Sequence, residues 1–152
     1  MNESGLISRE LLERLYKKGK KIKEFKKNNI IANVGFNVLL AILSADYASA
    51  GKLTHMALGT GTGTPSVTDT ILFAETYRNE IASSTTSGNV GIYTAFYTEL
   101  EVDGVFTEFG NFIDGTGAAD SGELWSKIQV SWTKTNLESL TVQCRYTFTN
   151  KV

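Results

Sequence analysis

Leu140-Thr-Val-Gln-Cys-Arg-Tyr-Thr-Phe148, LTVQCRYTF, alternates without a break. Leu140, Val142, Cys144, Tyr146 and Phe148 fall on one side of an extended chain, and Thr141, Gln143, Arg145 and Thr147 on the other. A period of two is what a β-strand with one face in a core needs; a helix cannot use it. The same period recurs upstream. Asn89–Leu100 sends Ile92, Thr94 and Phe96 one way and Tyr93, Ala95 and Tyr97 the other. Lys52–Leu58, Arg78–Ser84, Val105–Ile113 and Leu124–Trp132 are further strand candidates. Ser87-Gly88-Asn89, Asp103-Gly104 and Asp114–Gly122 supply the turns between them. Short strands punctuated in this way predict a mainly β (α+β) fold, an antiparallel β-sandwich or small barrel of about six or seven strands. No strand–helix–strand alternation is present, which argues against a doubly wound sheet.

The first third of the chain reads differently. Leu11, Leu15, Ile22 and Phe25 recur at steps of three, four and seven, a narrow helical stripe. Ser8 stands at a capping position, and Glu10 and Glu13 suit a helix N-terminus. Gly19 in the middle weakens such a helix by about 1 kcal/mol. A second helix is predicted over residues 34–45, capped by Asn33 and apolar on most sides. Its run VGFNVLLAIL is about half of what a bilayer crossing needs, so it reads as a buried helix and no membrane partner is expected. The first residues mix acids with bases around no apolar segment, so no secretory leader is expected. The sequence thus divides into a basic helical N-terminal arm, 1–27, and a β-sandwich structural domain, 28–152.

The 152 residues are 41% apolar and 20% charged, as in an ordinary globular domain. The net charge of −1 hides an asymmetry. Residues 1–27 hold nine Lys/Arg against four Asp/Glu, and residues 28–152 hold six against twelve. Lys17, Lys18, Lys20 and Lys21 concentrate the positive charge. They are expected to meet the acidic face of a neighbouring copy while Leu11, Leu15, Ile22 and Phe25 seat in a groove. Contact with nucleic acid is the other use of such an arm, though no basic residues are interleaved with the aromatic strands.

Chemistry finds little purchase. His55-Met-Ala-Leu-Gly-Thr-Gly-Thr-Gly-Thr-Pro-Ser66 is glycine-rich behind a short strand. A phosphate loop, however, needs a lysine and a hydroxyl ahead of a helix, and the next lysine is Lys127. One histidine and one cysteine make no zinc site, and Asp114, Asp120 and Glu123 do not follow calcium-loop spacing. Glu99 and Glu101 share a strand face by parity and read as a solvated edge rather than a glycosidase pair. Cys144 lies on the inward side of its strand and reads as a core residue. No catalytic residue and no cofactor are expected.

One constellation stands out by its order. Ala57-Leu58-Gly59-Thr60-Gly61 is followed by Pro65, Asp69-Thr70, Leu72, Glu75 and Arg78. Then come Thr107-Glu108-Phe109-Gly110-Asn111-Phe112 and Lys134-Thr135. Over residues 28–149 this resembles a group of small β-rich structural proteins of tailed bacteriophages and prophages, described as tail fibre-like or collar proteins. Asn111 stands where that pattern has an apolar residue. The resemblance implies a non-enzymatic virion building block, assembled in the host cytoplasm as a homo-oligomer with other virion proteins at the tail, collar or fibre attachment site. Capsid decoration and a carbohydrate- or receptor-binding module are the alternatives. Within the pattern, Thr68–Thr70 is expected to cap a helical turn, Ile71–Tyr77. On that turn Glu75 would meet Arg78, or Arg78 would reach Glu108, as a structural pair; at a subunit contact the same residues would instead set register. The Gly59–Ser66 and Asp114–Gly122 loops are expected to face outward.

Overall fold

The period-two segments pair as ten antiparallel strands in two sheets; the structure, a computed structural model, describes residues 7–149. In chain order the elements are β1 (Ile7–Lys17), β2 (Lys20–Asn28), β3 (Ile30–Ile31), α1 (Asn33–Leu43), β4 (Leu53–Gly59), β5 (Glu75–Glu80), β6 (Ser83–Ser87), β7 (Val90–Tyr97), β8 (Gly104–Ile113), β9 (Glu123–Lys134) and β10 (Ser139–Phe148). Sheet I runs β2-β1-β10-β7-β6 and sheet II runs β3-β9-β8-β4-β5. The sandwich class is as read from the sequence. β10 buries Leu140, Val142, Cys144 and Tyr146, while Phe148, at the strand end, is exposed.

The expected helical arm is a β-hairpin. β1 lies between β2 and β10, in register from Ile7↔Phe148 to Tyr16↔Ser139, so residues 7–28 belong to sheet I rather than to a tether beside it. The reason is geometric. Leu11 and Leu15 are four apart, which places them on one face of a helix and equally on one face of a strand. Both are buried against the opposite sheet's side chains, and Phe25 packs edge-on against Trp132, centroids 6.5 Å apart. Lys18 and Gly19 both have positive φ, +49° and +74°, as a two-residue hairpin turn of type I′ requires. A register shift leaves Ile22 as the extra residue, since Leu15 pairs with Lys23 and Tyr16 with Lys21. That bulge turns Ile22 toward solvent at 48% exposure, off the apolar stripe that a helix would give it.

The second expected helix exists as α1. Ala32, in extended conformation, is its N-cap, and no side chain, Asn33 included, makes a cap bond. Gly35 lets α1 lie directly on β9: a Cβ there would stand 2.8 Å from the Trp125 ring. No helix among the described residues is long and apolar enough to cross a membrane.

The candidate strand Arg78–Ser84 divides between the sheets. Ile81 donates its N–H to Thr54 beside sheet II, and the next residue, Ala82, donates to Thr94 of sheet I. One segment thus supplies the end of β5 and the start of β6. Glu99 and Glu101 lie past the end of β7, in a turn, not on a shared strand face.

The core between the sheets holds Leu11, Leu15, Met56, Leu58, Tyr97, Phe106, Phe109, Trp132, Leu140 and Val142. Sheet II is buried on its second face as well. There Ala32, Ala57, Leu72, Phe112 and Leu124 form a separate apolar cluster. The cover on that face is the long connection from β4 to β5.

Candidate functional site

That connection, residues 60–74, is a closed strap. Its ends meet where the Thr60 N–H donates to the Ala74 carbonyl at 2.9 Å, and β5 begins at Glu75. No helical turn forms at residues 71–77. Extended backbone there lets β5 pair with β4.

Glu108 holds the strap. Its Oε1 accepts from the N–H groups of Gly61 (3.0 Å) and Ala74 (2.6 Å), and its Oε2 from Phe73 (2.8 Å). Thr107 Oγ1 adds a bond to the Gly61 carbonyl, and Gln129 Nε2 one to Gly63. Three main-chain donors converging on one carboxylate are what an anion-binding loop offers a phosphate; here the anion is the protein's own side chain. The lysine missing from the loop arrives through space. Lys127, 1% exposed, sits 3.1 Å from Asp69 Oδ2 and 3.8 Å from Glu108 Oε2, donates to the Ile71 carbonyl at 3.2 Å, and lies over the Phe73 ring. The glycines answer to the same crowding. A Cβ at Gly61 would stand 2.5 Å from Glu108 Oε1, and one at Gly63 2.5 Å from Phe73 Cε2. Gly59–Ser66 therefore folds back onto sheet II instead of facing outward.

Arg78 holds the second glycine-rich loop. Its Nε and Nη2 grip both carboxylate oxygens of Glu75 at 2.6 and 2.7 Å. Its Nη1 donates to the carbonyls of Thr116 and Ser121 and to Ser121 Oγ. The guanidinium lies 4.5 Å from the centre of Phe112. Glu75 and Arg78 do meet, but side by side on a strand and buried, with side chains 1% and 3% exposed. Glu108 bonds elsewhere, so the alternative Arg78–Glu108 pairing is not formed. His55 is buried next to this cluster, and burial, with the Arg78 charge, holds its pKa below the usual value. Asp114 accepts from the Gly51 and Lys52 N–H groups. Among the described residues no group of three His, Cys, Asp or Glu side chains could hold a metal ion.

Lys134 holds a third loop. Its buried Nζ donates to the carbonyls of Glu101 (2.7 Å), Glu99 (3.3 Å) and Thr135 (3.4 Å). Glu101 accepts in turn from the Thr98 N–H, Asn79 and Tyr77, bonds that together lower its pKa against the opposing effect of burial.

Asn111 lies fully buried between the sheets. It donates to Ser126 Oγ, Tyr146 Oη and Cys144 Sγ, and Asn29 donates to the same two hydroxyls. Sequence reading misses this polar node because its members lie on four different elements or connections. Burial pushes the Cys144 thiol up to about 12 and both Tyr146 and Tyr97 well above their usual range.

Of the arm residues singled out by sequence, Leu11 and Leu15 are core, Phe25 is half-buried, and Lys17, Lys18, Lys20, Lys21 and Ile22 are exposed. Glu75, Arg78 and Glu108 hold loops from inside the fold.

Comparison with protein-family models, curated proteins and solved structures finds no match to this chain.

Proposed function

We propose that this chain is a non-enzymatic structural protein of a tailed-bacteriophage particle, assembling as a symmetric oligomer at a tail, collar or fibre attachment site. The observation that carries the reading is the use made of the shared pattern. Glu108, Arg78 and Lys134 are buried, and all three bond to main chain of loops. Glu75 grips Arg78, and Leu72 fills the cluster under the strap. A pattern whose charged members fix loop shape suits a building block whose surface must be presented rigidly to neighbours. The test is direct: purified particles from a host carrying this gene are analysed by mass spectrometry and labelled with antibody for electron microscopy. The reading requires stoichiometric copies at one place on the particle; particles lacking the protein would refute it.

A second reading, a carbohydrate- or receptor-binding module, is favoured by one feature. A cleft of about 560 Å³ opens between α1 and the β6–β7 hairpin, lined by Tyr93, Trp125, Tyr146 and Phe148, with Ser84 and Asn89 as polar partners. The Trp125 indole N–H is buried without a hydrogen-bond partner. Retention of the protein on a glycan array, lost on Tyr93→Ala, would support this reading over the first.

A further inference from the structure

The end of the sandwich that carries the β1–β2 turn has two unlike surfaces. Tyr16 pairs with Ser139, and Leu140 with Tyr97, so the hairpin turn, the β9–β10 loop and the β7–β8 loop all lie at this end. On the hairpin Lys17, Lys18 and Lys20 are exposed, with Ile22 turned out beside them by the bulge. On the two loops Leu100 is 92% exposed and Leu137 59%, with Val105, 58% exposed, at the adjoining start of β8. The exposed acid Glu99 adjoins Leu100, and Asp103, exposed but 3.7 Å from the Lys134 ammonium, lies three residues on. These leucines do not stand on slack chain, because Lys134 ties the carbonyls on both sides of Leu100 and that of Thr135 to one buried ammonium. Apolar side chains held outward and rimmed by charge mark a contact surface. The order β2-β1-β10-β7-β6 places the basic hairpin on one flank of sheet I and the acidic knob toward the other.

We infer that the Leu100–Leu137 knob receives the Lys17–Ile22 turn of a second copy of this chain. Opposite charges align the two, and Ile22 meets the exposed leucines. Because knob and turn share one end, a copy rotated about an axis along the strands brings basic flank to acidic flank at the same height. The contact therefore repeats around a closed ring. This rests on the oligomeric reading above and specifies its interface.

The test uses charge reversal in the full chain. Lys17→Glu/Lys20→Glu reverses the turn, and Glu99→Lys/Leu100→Lys reverses the knob. Glu99→Lys alone is the milder knob reversal should the second not keep the wild-type circular dichroism. In analytical ultracentrifugation the wild type is expected to form a closed oligomer. Each reversed variant should associate at least about tenfold more weakly, and mixing the two should restore association. A monomeric wild type, unchanged association in both variants, or no rescue on mixing would overturn the inference. So would variants that keep the wild-type mass while the Lys17→Glu/Lys20→Glu chain loses binding to a fluorescent DNA duplex. Failure of the virion reading is separate, since there the protein would self-associate through these surfaces yet be missing from particles.

Discussion

Glu108 brings a carboxylate into the interior and surrounds it with three main-chain donors and a lysine. Removing one partner of such a set leaves the other buried and unmatched, which is more damaging than the pair is stabilising. Glu108→Ala is therefore expected to cost about 3–5 kcal/mol in urea unfolding, with the strap released to protease before global unfolding. Gly61→Ala should cost about 1–3 kcal/mol by driving a methyl into that carboxylate, whereas Gly117→Ala, where the added methyl meets open space, should be neutral. The buried node is a separate case. Asn111→Leu should cost about 1–3 kcal/mol by removing its amide donor from the Ser126 and Tyr146 hydroxyls, which keep only each other and Asn29. Tyr146→Phe should recover part of that loss in the double variant, a coupling measurable by a double-mutant cycle. Cys144 also sets a pH limit. Its thiol is held up to about 12 when folded, while the unfolded chain releases the proton near its ordinary 9.0. Stability is thus fully present below pH 9.0 and declines as pH rises toward 12; Cys144→Val should flatten part of that alkaline decline in thermal melts.

At the scale of elements, the hairpin β1–β2 shows where sequence periodicity fails. Leucines four apart fit a helix and a strand alike, lysine and glutamate are good helix formers, and a bulge at Ile22 breaks the alternation that would otherwise reveal the strand. Only Lys18-Gly19 marks the turn, and a lysine with positive φ is not a usual turn signal. Lys18→Asn gives the turn a residue that tolerates that conformation and should stabilise the fold by about 0.5 kcal/mol, read as a higher melting temperature. β4, β7, β8, β9 and β10 are legible in the sequence because one or both faces meet a core and their side chains alternate accordingly. β5 and β6 merge into one candidate because the change of sheet at Ile81–Ala82 leaves no mark in hydrophobicity. The strap is legible as a loop, but its partners are not. Glu108 and Lys127 lie on β8 and β9, and only the pairing of β4 with β8 and β8 with β9 brings them under it.

For the whole molecule, sheet II is packed on both faces and sheet I on one. Their outward faces should therefore differ in tolerance. Val142→Asp, into the shared core, should prevent folding, while Thr141→Asp, one residue away on the outer face of sheet I, should leave the circular dichroism spectrum and melting temperature close to wild type.

The pairing of Ile7 with Phe148 sets the two ends of the described residues on neighbouring strands, at the pole farthest from the lysine turn. A tag or a fluorescent fusion joined beyond either end would lie on the side away from the lysine turn and leave that turn and the loops beside it unobstructed. A covalent splice between the two tails, with the backbone reopened at Gly88, should yield a permuted protein that still folds.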